Sequence, residues 1–210
     1  MKGRLSLMLV PLLAAAFATA WAAPAAANDS RDPPAIIEQT SEIIFETLDK
    51  RRDEFTEDPE KLRAMVREDL LPLIDLDYSA RLILGRAGRE VTEQQLDAFS
   101  NAMSDVLINR YADGLLQYRS DEQIDVLPMK GKNTDKLTRV RTRIRLENGN
   151  YAPVDYSFRK TENGWKVFDV MVEGISYVMT FRNQIGPQVE ANGIDKVTAD
   201  IVAGNLRIED

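Results

Sequence analysis

The chain has 210 residues, 44% of them hydrophobic, and its 34 acidic and 27 basic residues give a formal net charge of −7. Cysteine and histidine are both absent, which excludes disulfides, thiol nucleophiles, Ser-His-Asp triads and His-containing zinc sites. The acidic balance argues against nucleic acid and anionic membrane surfaces as partners, because the summed field repels both.

The first 27 residues have the layout of a cleavable secretory signal peptide: Lys2 and Arg4, an apolar run from Leu5 to Phe17, and a small-residue tail ending in Ala25-Ala26-Ala27. Ala20-Trp21-Ala22 is a second candidate cleavage motif, and an uncleaved anchor is the competing reading, weakened by Pro11 and Pro24. Loss of Lys2 and Arg4 takes the net charge to −9 for residues 28–210, a length that fits one domain held by its core alone.

Asp32-Pro33-Pro34 reads as a helix start. Ile36, Ile37, Thr40, Ile43, Ile44, Thr47 and Leu48 follow at helical spacing, predicting a helix to about Asp53. Asp58-Pro59 repeats the start signal for a second helix carrying Leu62, Met65, Val66 and Leu70 and ended by Pro72. Asp77 is the expected cap of a short helix with Tyr78, Leu82 and Ile83 that stops at Gly85. Thr92 and Gln95 form a capping box for a long helix, about Glu93 to Tyr118, with apolar groups on more than one side.

The period then changes from 3.6 to 2. Strands are predicted at Ile124–Leu127, Leu137–Leu146, Tyr151–Arg159 and Trp165–Val172, with a turn at 147–150. On the second strand Val140, Thr142, Ile144 and Leu146 share one face and Arg139, Arg141, Arg143 and Arg145 the other. That arginine face is either a solvated surface paired with neighbouring acids or a docking surface for something acidic. Glu173-Gly174 leaves the sheet, Ser176 caps a helix from Tyr177 towards Val189, and a last helix runs from Ile194 to Ala203. Helices on both sides of an antiparallel meander of about four strands predict an α+β fold.

Conventional chemistry has little support. Paired carboxylates are the acid/base machinery left to a His-free chain; Asp155 and Asp169 are the strand candidates, and Asp169, set between Phe168 and Val170, is the candidate base, with Tyr156 or Tyr111 as proton donor. The alternative is an Asp held by backbone. The acidic runs lack the spaced loop of a calcium site, so no metal or cofactor is expected. More informative is "DVMVEGISYVMTFRNQI" at 169–185, where the strand presents Phe168, Val170 and Val172 on one face and Val167 and Met171 on the other. This surplus of apolar surface fits a thick core, a protein interface or an apolar ligand cavity.

The stretch from Trp165 to Val170, then Val172-Glu173-Gly174-Ile175-Ser176 and Phe181-Arg182 to Ile185, resembles the C-terminal signature of the MlaC family. "DLDYSARLILGR" at 75–86 and "INRYADGLLQY" at 108–118 extend the likeness; phenylalanine stands for the family's tyrosine at 168 and 181, and Ile185 for its final phenylalanine. The resemblance implies a soluble monomeric carrier in the periplasm, with helices packed on a curved sheet around a cavity for the acyl tails of a phospholipid whose head group stays outside. It also implies exchange with an outer-membrane lipoprotein complex containing MlaA and with inner-membrane MlaD and its ABC transporter. The lining residues expected are Val106, Tyr111 and Leu115 of the long helix, Ile144, Tyr156, Phe158, Phe168 and Val170 of the sheet, and Val178 and Phe181 after Gly174. The rival readings are an Asp/Tyr-dependent enzyme using Asp169 and a ligand-free adaptor that binds protein.

Overall fold

The computed structural model describes residues 31–117, 124–130, 133–145 and 149–206; the expected signal peptide and the first half of the expected turn at 147–150 lie outside them. Asp32 accepts from the Ala35 N–H and starts α1, Pro33–Glu57. This helix runs past the expected Asp53 because a kink at Arg51 re-aims it without ending it. Ile36, Ile37, Ile44, Leu48 and Phe55 are buried, whereas Ile43, expected among them, is 58% exposed.

The second predicted helix is broken into three geometries. Regular α2 covers only Pro59–Met65, Val66–Leu70 is a π-helical turn, and Leu71–Leu73 is a 3-10 turn around Pro72. Pro72 offers no N–H to an α ladder, and the Leu71 N–H reaches back to the Val66 carbonyl instead. Asp75, and not the expected Asp77, caps α3 (Leu76–Leu84) by accepting from the Tyr78 N–H. Gly85 then ends α3 at φ 59°, ψ −115°, a combination that only glycine adopts readily.

The capping box at Thr92 and Gln95 opens α4, Glu93–Tyr111. Its continuation Ala112–Gln117 is a 3-10 turn where a single long helix was expected, and Gly114 within it favours that loosening. Among the described residues the sheet has five strands, one more than expected: β1 (Ile124–Val126), β2 (Leu137–Arg145), β3 (Tyr151–Thr161), β4 (Gly164–Val172) and the two-residue β5 (Ile175–Ser176). They form an antiparallel meander in the order β1-β2-β3-β4-β5. Ser176 caps α5 (Tyr177–Asn192), and α6 (Ile194–Val202) follows after Gly193.

One irregularity changes which side chains share a face. Ser157 pairs with Asp169 but Phe158 pairs with Val167, so Phe168 is an extra residue on β4. Val167 therefore lies on the same face as Val170 and Val172, not opposite them as strict alternation predicts. The β4 edge is closed by the segment before α3, where Ile74 bridges Val167 in parallel and the Asp75 N–H donates to the Val167 carbonyl at 2.7 Å.

The buried side chains gather into three clusters. One joins α3 to α6 through Leu84, Phe99, Met103, Phe181, Ile185 and Val197. Another joins α1, α2 and the end of α4 through Leu48, Phe55, Leu62 and Ile108. A third packs Ile36 and Ile37 of α1 on Val140, Phe158 and Val167 of the sheet. Domains of ordinary packing have one contiguous core, so the division raises the question of what lies between.

Candidate functional site

A cavity of about 660 Å³ lies there, and its wall takes residues from all three clusters. The π turn and the 3-10 turn after it give Val66, Leu70 and Leu71; α3 gives Leu76, Ser79, Ala80 and Ile83; α4 and its 3-10 extension give Met103, Leu107, Ile108, Tyr111 and Leu115. β4 contributes Val167, Phe168, Val170 and Val172, and α5 contributes Tyr177, Val178 and Phe181.

The serines and the aspartate on the wall have their polar atoms engaged within the fold. Ser79 Oγ lies 2.8 Å from both the Asp75 and the Phe168 carbonyl oxygens, which share its single O–H donor. Ser104 Oγ donates to the Ser100 carbonyl at 2.8 Å, and Ser100 Oγ to the Asp97 carbonyl at 3.2 Å. What these serines offer the cavity is chiefly carbon. Asp169 accepts from Ser176 Oγ at 2.7 Å on one oxygen and from the Val178 N–H at 3.1 Å on the other. Both oxygens are thus engaged in holding the start of α5, the role of a capping acid.

An aromatic run marks one side. Tyr111 meets Tyr177 edge-on at 6.2 Å between centroids, and Tyr177 meets Phe181 at 5.8 Å. Phe181 is buried while both tyrosines are half-exposed, the arrangement suited to a boundary between oil and water. The π turn and the α2 helix before it are tied across to α4 and its 3-10 extension by Arg67–Asp105 at 3.1 Å and Arg63–Asp113 at 3.2 Å, and Arg52 of α1 donates to the Leu116 carbonyl.

Of the ten residues expected to line a cavity, Tyr111, Leu115, Phe168, Val170, Val178 and Phe181 come together on this wall. Val106, Ile144, Tyr156 and Phe158 lie off it. Val106 packs on the helical cluster, and Phe158 is fully buried beneath α1 with Tyr156 against it. Ile144 sits near the outer end of β2, opposite Ile124. The wall residues from the π turn and α3 were missed; "DLDYSARLILGR" held the signal for α3, whereas the π turn reads as plain helix.

The arginine face of β2 meets neighbouring acceptors. Arg143 donates to Asp125 at 2.7 Å and lies over Tyr151, Arg141 donates to the Pro128 carbonyl and stands opposite Asp155, and Arg139 and Arg145 are exposed. Among the described residues no group of three or more acidic side chains is placed to hold a metal ion, and no helix is long and apolar enough to cross a membrane.

Comparison with known proteins gives consistent matches. A family model described as MlaC protein matches residues 38–203. The chain is 27% identical over 182 residues to the intermembrane phospholipid transport system binding protein MlaC of Haemophilus influenzae, covering 84% of each chain. It is 25% identical over 167 residues to the toluene tolerance protein ttg2D of Pseudomonas putida, covering 79% of this chain and 77% of that one. A solved phospholipid-binding protein from Ralstonia solanacearum, in complex with a phospholipid, shares the fold with a TM-score of 0.71 at 22% identity, over 81% of this chain and 99% of that one.

Proposed function

Because this chain belongs to the MlaC family, we propose that it is a phospholipid carrier that holds acyl tails in the cavity between its three core clusters and leaves the head group in water. The observation that carries this reading is the cavity itself: a space of about 660 Å³ walled by apolar side chains, whose serine hydroxyls all turn back onto backbone carbonyls.

The energetics agree with a carrier. At ~30 Å³ per methylene, about the bulk of a water molecule, the cavity takes about 22 methylenes. At ~0.8 kcal/mol each, that is on the order of 18 kcal/mol of avoided water contact. A lipid crossing water unaided meets that barrier in full, whereas one passing from a bilayer into a matched cavity does not. The transfer is then nearly isoenergetic, and its direction comes from partners and not from this chain.

Export by a signal peptide over residues 1–27, a single domain over 28–210, residence in the periplasm, and exchange with MlaA at the outer membrane and with MlaD and its ABC transporter at the inner membrane complete the reading. No covalent chemistry is assigned. The candidate base, Asp169, already has both oxygens engaged in capping α5.

The test is native mass spectrometry of the processed protein, purified without detergent from an exporting host, followed by solvent extraction. A bound mass that extracts as phospholipid is the expected result. A clean apo mass, unchanged after incubation with phospholipid vesicles, overturns the proposal.

A further inference from the structure

We infer that the end of the cavity between α3 and α4 is a stop for acyl chains, and that Met103 and Ser104 set how much acyl carbon the protein accepts. This deepens the phospholipid reading and rests on it.

The wall has a gradient of burial that gives the cavity a direction. Ile83, Met103, Ser104 and Phe181 are each no more than 6% exposed. The wall residues from the π turn, from the 3-10 turn after α4 and from β4 beyond Val167 are mainly half-exposed, as is Tyr177. The space therefore opens on that side and ends blind where α3 faces α4.

The blind end is built so that its depth depends on single side chains. Ser104 is buried, its hydroxyl spent on the Ser100 carbonyl, so a chain end meets its carbon and gains no hydrogen bond from it. Met103 beside it is unbranched and soft, able to yield around a terminal methyl. Neither residue is needed to bind a polar group, and both occupy volume that acyl carbon would otherwise fill.

That volume is limiting. Room for about 22 methylenes is less than the roughly thirty of two sixteen-carbon chains at the same bulk per carbon. Each methylene left in water weakens retention about fourfold. Small changes at the stop are thereby converted into selection among lipids that share a head group and differ in chain length.

The experiment uses vesicles of egg phosphatidylglycerol doped with equal amounts of the didecanoyl species, whose tails fit the space with room to spare, and the dimyristoyl species, whose tails overfill it. The ratio of the two recovered on the protein is read by mass spectrometry, together with total bound lipid and a thermal melt. Ser104→Leu adds bulk at the stop and is expected to move the ratio towards didecanoyl by about tenfold, a shift equivalent to losing room for roughly two methylenes. Met103→Ala deepens the end and moves the ratio the other way, while Ser104→Ala leaves it within about twofold because only a spent hydroxyl is lost. Should Ser104→Leu fail to fold, Met103→Ala and Ser104→Ala still decide the matter. Equal ratios in the parent and in folded, lipid-loaded Met103→Ala overturn the stop. A parent protein that takes up neither species overturns the phospholipid reading itself, and the total bound lipid tells that failure apart.

Discussion

Val170→Asp separates a cavity wall from an ordinary core. Val170 is half-buried on β4, opposite Tyr156 of β3, and its side chain faces the cavity beside Phe168 and Val172. In the empty protein an aspartate here meets the water that fills an open cavity, so folding loses little more than the valine's burial, about 1.5 kcal/mol. With a lipid bound, the carboxylate must shed that water or hold the chain away from the wall. Displacing three or four methylenes costs about 3 kcal/mol, and stripping the carboxylate costs several kcal/mol. Retention of lipid should therefore fall by at least about 100-fold, at ~1.4 kcal/mol per factor of ten, while the melting temperature drops by only a few degrees. Bound lipid counted by native mass spectrometry, with circular dichroism and a thermal melt on the same sample, reads both quantities. Val170→Ile is the matched control and should retain lipid. A folded Val170→Asp protein carrying the parent's complement of lipid would refute the placement of acyl chains against β4.

Three further outcomes follow from particular contacts. Gly85→Ala should cost about 1–2 kcal/mol in denaturant melts, because the backbone there has φ 59° and an added Cβ would lie 3.1 Å from the Arg182 guanidinium; an unchanged midpoint would contradict this. Asp169→Ala should cost about 1–2 kcal/mol through loss of the α5 cap yet keep its lipid, and a folded variant that loses lipid would show a role for Asp169 beyond capping. Glu54 is held at about 2 by its hydrogen bond to Arg51 and then by Lys61. Since this lies below the ordinary value of 4.5, its contribution is present above that pH and lost as pH falls towards 2. Glu54→Gln should therefore melt lower than the parent at neutral pH, with the gap closing between those limits; a gap constant down to pH 2 would contradict the assignment.

Much of this architecture was legible in the sequence because its signals are local. The Thr92 capping box, the Ser176 cap and the alternation of Val140 and Thr142 with the β2 arginines each depend on a few neighbouring residues. The site was legible only in part. On α4 the residues that reach the cavity, Ser100, Met103, Ser104, Leu107, Ile108 and Tyr111, follow one helical face. Val106 falls out of phase with them, so spacing alone could have removed it. The bulge at Phe168 was beyond reach, since one extra residue reverses the expected face of Val167 and leaves no mark in composition. Phe158 and Tyr156 do lie on the inner face of the sheet, but whether a cavity or α1 covers that face depends on contacts between residues more than a hundred positions apart. The π turn stayed hidden for a related reason, as Val66 and Leu70 suit a regular helix equally well.

The size of the cavity bears on why the core is divided at all. At ~24 cal/mol per Å³, a sealed and empty space of about 660 Å³ would cost on the order of 16 kcal/mol, comparable to or larger than the whole stability of an ordinary domain, about 5–15 kcal/mol. The space can persist only if it is open to water when empty or filled when closed, and the half-exposed residues of the π turn, β4 and Tyr177 supply the opening. On the proposed function a bound acyl chain would take the place of the missing core, since the wall draws on all three clusters. Ligand and fold stability are coupled by the same apolar area. A wall that gained its stability from close packing alone would have no reason to leave this space, and would have no means of letting a lipid in.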